Sequence, residues 1–205
     1  MDDAVEINRS SGLRRLERSV PFPVGPSTFE DIWSRRADAS IAVIDTDRAW
    51  TTRELRAEVE RVARVLAAAE YGAGNRLAWV LGNDVGSLIS LLATVRVGAV
   101  WIGLSRRATK AERDVVLDDA HPDAVFATLP DDAPSVTLPE PPAPTAPAAI
   151  AYTSGTTGRP KGAVHTQQQL LYPAAAAIAT EDLDADARIG TPLPLSTLNL
   201  SLIHI

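Results

Sequence analysis

Leu77-Ala78-Trp79-Val80-Leu81, followed by Gly82-Asn83-Asp84, decides how the rest of the chain must be arranged. Five consecutive apolar residues cannot alternate between core and solvent, so the run reads as a strand covered on both faces. Gly82-Asn83-Asp84 turns the chain and caps a helix predicted from Val85 to about Val97. Gly98 ends that helix, and Ala99 to Leu104 resumes as strand. Strand, helix and strand in this succession form a crossover unit, which implies parallel pairing and an α/β layer structure.

The same grammar continues in both directions. Downstream, Thr109-Lys110-Ala111-Glu112 is a capping box that opens a helix to about Ala120, and a short strand, Ala124 to Ala127, follows Pro122. Upstream, Thr51-Thr52-Arg53-Glu54 is another capping box. Leu55, Val59, Val62 and Leu66 recur behind it at helical spacing until Tyr71-Gly72-Ala73-Gly74. A short helix is expected after Ser27, ending near Arg36, and Ile41 to Ile44 reads as a strand turning through Asp45-Thr46-Asp47-Arg48 into Ala49-Trp50. Residues 1–27, ending in a Pro-Phe-Pro-Val-Gly-Pro stretch and its serine, read as an extended arm. Prolines at 130, 134, 139, 141, 142, 144 and 147 mark 128–147 as an extended surface linker. Ala148 to Tyr152 is again strand-like. A helix is expected from about Thr166 to Glu181, kinked or delayed by Pro173.

The totals bound the function. The chain has 205 residues, 45% of them hydrophobic and 22% charged, enough for one globular domain. A net charge of -6 and a pI near 5.1 argue against nucleic acid or an anionic membrane as partner. The absence of cysteine excludes disulfides and thiolate chemistry. The acidic start, Met1-Asp2-Asp3, lacks the apolar core of a secretory signal, and no uncharged run reaches the length of a membrane span. A soluble, cytoplasmic protein is expected.

Within that frame the chemistry concentrates in Tyr152-Thr153-Ser154-Gly155-Thr156-Thr157-Gly158-Arg159-Pro160-Lys161-Gly162. Glycines let backbone approach a ligand closely, and successive free amides form anion-binding concavities. The hydroxyls of Thr153, Ser154, Thr156 and Thr157 can donate to phosphate oxygens, and Lys161 supplies a point charge. Pro160 fixes its own φ and holds Arg159 extended, which directs Lys161. No Asp or Glu occurs between Glu140 and Glu181, although the protein is acidic overall, and the interval holds Arg159, Lys161 and His165. A solvated polar loop is the bland alternative, but position, composition and charge together favour phosphate binding. The loop is not of the Walker A kind: counting from Gly155, the second glycine of that pattern falls on Pro160.

Thr153 to Gly162 resembles the phosphate-loop signature of the adenylate-forming superfamily, which includes acyl-CoA synthetases, firefly-type luciferases and peptide-synthetase adenylation domains. Trp50-Thr51-Thr52-Arg53-Glu54-Leu55 resembles its early aromatic-Thr-x-x-Glu-Leu box. Arg76 to Asn83 resembles its first buried strand, and Val97-Gly98-Ala99-Val100 its Gly-Ala-Val step. The resemblance covers residues 28–195. It implies part of the layered, parallel-sheet N-terminal domain of that superfamily, incomplete here, with 196–205 expected to be a non-native or truncated tail. It further implies attack of a small-molecule carboxylic acid on the α-phosphorus of Mg-ATP, giving acyl-adenylate and pyrophosphate, with CoA as the expected acceptor. Thr153, Ser154, Gly155, Thr156, Thr157, Gly158 and Lys161 would grip the β- and γ-phosphates.

Other residues carry blander readings. His165 is expected to pack at a strand or helix entry, His121 to sit in a turn, Asn83 and Asp84 to cap a helix, and Trp79 and Trp101 to fill the core. Thr197 stands where the resemblance would put a histidine beyond Leu193-Pro194-Leu195-Ser196. The superfamily's ribose-binding acid, Mg-associated glutamate and catalytic lysine have no counterpart in the chain. No catalytic residue or protein-held metal is therefore assigned, and the 205 residues alone are expected to be inactive. The alternative reading is a noncatalytic nucleotide-binding or interaction module.

Overall fold

The computed structural model of the chain describes residues 27–46, 48–153, 161–180, 187 and 190. Among them, five strands form one sheet: β3 (Arg76–Leu81), β4 (Val100–Ser105), β5 (Ala124–Phe126), β6 (Pro147–Thr153) and β7 (Lys161–Thr166), in the order β5-β3-β4-β6-β7. β3 runs parallel to β4, with Leu77 opposite Trp101, and to β5, with Ala78 opposite Val125; β4 runs parallel to β6, with Trp101 opposite Ala149. Helix α3 (Val85–Arg96) makes the β3–β4 crossover and α4 (Lys110–Ala120) the β4–β5 crossover. The fold is α/β, as the apolar run at Leu77 to Leu81 requires.

The crossovers lie on opposite faces. One face, with Leu77, Trp79, Leu81, Trp101 and Ala149, packs against α3 and against α1 (Phe29–Arg35), α2 (Thr52–Ala68) and α5 (Gln167–Thr180). The other, with Ala78, Ile102 and Leu104, is covered by Val116 and Ala120 of α4. Trp79 and Trp101 are 1% and 2% exposed, and their indole N–H groups need partners there. Both find them on α3: Trp79 Nε1 donates to Thr94 Oγ1 at 3.0 Å, and Trp101 Nε1 to Ser90 Oγ at 2.9 Å. Two hydroxyls four residues apart on one helix face thus fix the register of α3 on the sheet.

Local signals set the boundaries. Thr28, Thr51 and Thr109 each cap a helix in a reciprocal box with Asp31, Glu54 and Glu112. Asp84 caps α3 by accepting from Ser87 N, and Gly98, at φ +85°, closes it with bonds from Gly98 N to Val95 O and Ala99 N to Thr94 O. α2 ends at Ala68, earlier than its glycines suggest. Glu70 takes the left-handed conformation instead, while Glu70 N and Tyr71 N donate to Ala67 O and Leu66 O. β1 (Ile41–Ile44) and β2 (Ala49–Thr51) form a separate antiparallel pair.

Three expectations need correction. The segment after Lys161 is not loop up to the helix: Lys161–Thr166 is strand β7, paired antiparallel to β6. The linker ends one residue sooner, because Pro147 opens β6; a first strand position needs no N–H from it. Of the two effects expected of Pro173, a kink or a delayed start, the delay does not occur: α5 begins at Gln167 and contains Pro173.

The linker is extended but tied down. Arg61 Nη1 donates to Pro130 O and Asp132 O at 2.7 and 2.8 Å, and Arg96 Nη1 to Pro139 O at 2.7 Å. Gln167, 2% exposed, accepts from Phe29 N at 3.1 Å and donates to Pro142 O and Ala143 O at 3.1 and 3.3 Å. One buried amide therefore joins α1, the linker and α5.

Candidate functional site

The glycine-rich stretch occupies the connection of the β6–β7 hairpin. β6 ends at Thr153 and β7 starts at Lys161, and the two are register partners, as are Tyr152 and Gly162. Of the residues expected to bind phosphate, Thr153 and Lys161 are thus brought together by backbone pairing. Ser154, Gly155, Thr156, Thr157 and Gly158 lie outside the described residues. β6 runs parallel to β4, as β4 does to β3, so the hairpin mouth stands at the carboxyl ends of β3, β4 and β6. Open α/β sheets bind ligands at that edge.

Lys161 is exposed and has no acidic partner among the described residues. Strand alternation sets it on the face opposite Gly162. On the Gly162 side, the ring of Tyr152 lies across the hairpin: a Cβ on Gly162 would come within 2.9 Å of Tyr152 Cζ and 2.8 Å of Ile150 Cγ2. The Tyr152 hydroxyl donates to Asp119 Oδ2 of α4 at 2.7 Å. Burial, and then the bond to Asp119, push the phenol's pKa well above its ordinary value, so it remains a donor.

Asp119 was not legible as part of this neighbourhood. The acid-free interval from 141 to 180 is acid-free in sequence only; in space a carboxylate from α4 reaches its edge. His165 pairs with Ala149 in β7 and His121 is the left-handed cap of α4, both structural positions.

Among the described residues no group of three or more His, Asp or Glu side chains could hold a metal ion. A magnesium ion carried by a triphosphate needs no such cage, since Mg²⁺ keeps waters and substrate phosphate oxygens as ligands. The exposed ammonium of Lys161 at the carboxyl edge fits such an anion in charge and access. No helix among the described residues is long and apolar enough to cross a membrane.

A mostly parallel sheet covered on both faces by helices defines the layered α/β class of proteins. The AMP-binding enzyme family matches residues 29–138 and 127–200, and the chain belongs to that adenylate-forming family. It is 31% identical over 172 residues to the indoleacetate–CoA ligase of Aromatoleum aromaticum, a match covering 67% of this chain and 34% of that protein. It is 29% identical over 175 residues to CymA of Salinispora arenicola, described as a probable non-canonical nonribosomal peptide synthetase, covering 81% of this chain and 2% of that protein. The chain therefore spans about a third or less of these relatives' lengths. Its fold matches the o-succinylbenzoate–CoA synthetase of Bacillus subtilis in complex with ATP and magnesium, with a TM-score of 0.73 at 22% identity, over 85% of this chain and 52% of that one.

Proposed function

We propose that residues 28–195 form part of the N-terminal domain of an acyl-CoA synthetase-type ligase, and that the β6–β7 hairpin grips the β- and γ-phosphates of its substrate ATP. The observation that carries this is the hairpin itself: a Ser/Thr/Gly connection closed by the Thr153–Lys161 pair at the carboxyl edge of the sheet. Lys161, with the hydroxyls of Thr153, Ser154, Thr156 and Thr157 and the amides around Gly155 and Gly158, would bind the part of ATP that leaves as pyrophosphate. A carboxylate oxygen attacks the α-phosphorus, the bond to the β-bridging oxygen breaks, and its electron pair departs with pyrophosphate. Charge that grows on that leaving group is what fixed donors stabilise. Magnesium, arriving with the triphosphate, neutralises part of its charge.

CoA is the proposed acceptor, supported by the likeness to indoleacetate–CoA ligase. A carrier-protein thiol is the second reading, supported by the likeness to a peptide synthetase. Incubating the full-length protein with Mg-ATP and a panel of carboxylic acids tests the proposal. Carboxylate-dependent AMP and pyrophosphate are expected, with thioester formed on CoA. Thioester on a carrier protein only would support the second reading. ADP and phosphate would refute adenylation, and nucleotide binding without turnover would favour a noncatalytic module.

A further inference from the structure

We propose that Tyr152 and Asp119 act as a positioning pair that lashes the carboxyl end of β6 to α4 and so fixes the mouth of the hairpin from which residues 154–160 spring. This rests on the reading of that connection as the triphosphate grip. Tyr152 is the residue before Thr153, and its hydroxyl bonds Asp119 at 2.7 Å. Asp119 sits in the last turn of α4, and α4 is fixed in turn: Val116 and Ala120 are buried against Ala78, Ile102 and Leu104 of β3 and β4. The rigid path therefore runs from β4 through α4 and Asp119 to the end of β6.

The ring completes the clamp. It lies so close over β7 that a Cβ at Gly162 would meet Tyr152 Cζ at 2.9 Å and Oη at 3.1 Å. The Tyr152 ring and Ile150 beside it thus account for a glycine at 162. The clamp and the cation lie on opposite faces of the hairpin, because Lys161 and Gly162 alternate. An acidic anchor beside a phosphate site is tolerable in this arrangement, since the Asp119 carboxylate is bonded on the α4 side while the Lys161 ammonium faces the other way.

The test uses the full-length protein with Mg-ATP as probe and variants Tyr152→Phe, Asp119→Ala, Asp119→Asn, the Tyr152→Phe/Asp119→Ala double, and Lys161→Ala. Affinity for Mg-ATP is measured by titration calorimetry, and amide hydrogen exchange across 147–166 is followed without nucleotide. Tyr152→Phe keeps the ring and loses the donor; it and Asp119→Ala should each weaken Mg-ATP about 2- to 10-fold, the worth of one hydrogen bond. Both should speed exchange at the Thr153–Lys161 end. The double variant should lose no more than either single, and Asp119→Asn, which keeps an acceptor, should stay near wild type. A side chain that mattered only for global stability would shift the unfolding midpoint and leave nucleotide affinity alone. Wild-type affinity and exchange in Tyr152→Phe, with Lys161→Ala weakened, would overturn the pair's role and leave the loop's reading standing. Additive losses in the double would likewise overturn the pairing. Failure of the wild type to bind Mg-ATP would overturn the reading of the loop and the proposal with it.

Discussion

Replacing Gln167 by alanine removes a side chain that joins three separate segments, and its cost can be worked from its contacts. Phe29 is the first residue of α1, so its N–H has no partner within the helix. Gln167 Oε1 accepts that N–H in a buried setting, from a side chain 2% exposed. Leaving a buried amide without an acceptor costs about 1–3 kcal/mol. The two bonds from Nε2 to Pro142 O and Ala143 O add less, because those carbonyls are half in water. A total near 2–4 kcal/mol follows, a large share of the ~5–15 kcal/mol that holds a typical domain together. Gln167→Glu separates the contributions. It keeps the acceptor but turns a carboxylate oxygen toward two carbonyls, so its folded pKa lies above the unfolded value. Stability is then greatest below the ordinary carboxylate range and is lost as pH rises through the raised value. Urea unfolding of wild type and both variants at neutral and mildly acid pH reads this directly. A change in Gln167→Ala below about 0.5 kcal/mol, the size of an ordinary surface substitution, would refute the keystone role.

Gly103→Ala should unfold the sheet at its centre: the new Cβ would lie 2.0 Å from Trp101 Cη2, and that ring is pinned by Ser90. A loss of about 3 kcal/mol or more in chemical denaturation is expected, at the upper end for overpacking, and a wild-type midpoint would show the ring free to move. Acid should weaken the helix starts together. Asp31, Glu54 and Glu112 are held below the ordinary carboxylate range, first by backbone N–H bonds from Thr28, Thr51 and Thr109. Their contribution is complete above the unfolded values of 3.8 and 4.5 and is lost as pH falls through the depressed ones. The drop in melting temperature below that range should therefore shrink in a Glu54→Gln/Glu112→Gln variant, and an unchanged acid limb would contradict the assignment.

What the sequence disclosed followed from local signals. The β3-α3-β4-α4-β5 unit was legible because an apolar run, a cap and a terminating glycine each act within a few residues, and Trp79 and Trp101, expected in the core, are buried there. β7 was not, because Lys161-Gly162-Ala163-Val164-His165-Thr166 has neither an apolar run nor a clean alternation; its strand character comes from the ladder β6 offers. Gln167 read as an ordinary helix start, and its burial arises only when α1 and the linker close over it. Asp119 was invisible for the same reason. It lies 33 residues from Tyr152, and the contact exists only because β6 inserts beside β4. For the site, Thr153 and Lys161 were both named as phosphate-binding residues; that they are register partners, and that Tyr152 meets Asp119 behind them, needed the fold.

The central claim is that Lys161, at the mouth of the β6–β7 hairpin, holds the phosphates that leave as pyrophosphate. Carboxylate-dependent ATP–pyrophosphate exchange by the full-length protein and by Lys161→Ala measures this most directly. Loss of a charge-assisted phosphate contact, worth about 1.5–3 kcal/mol, predicts exchange slower by roughly one to two decades in the variant. Equal rates in the two proteins would contradict the account.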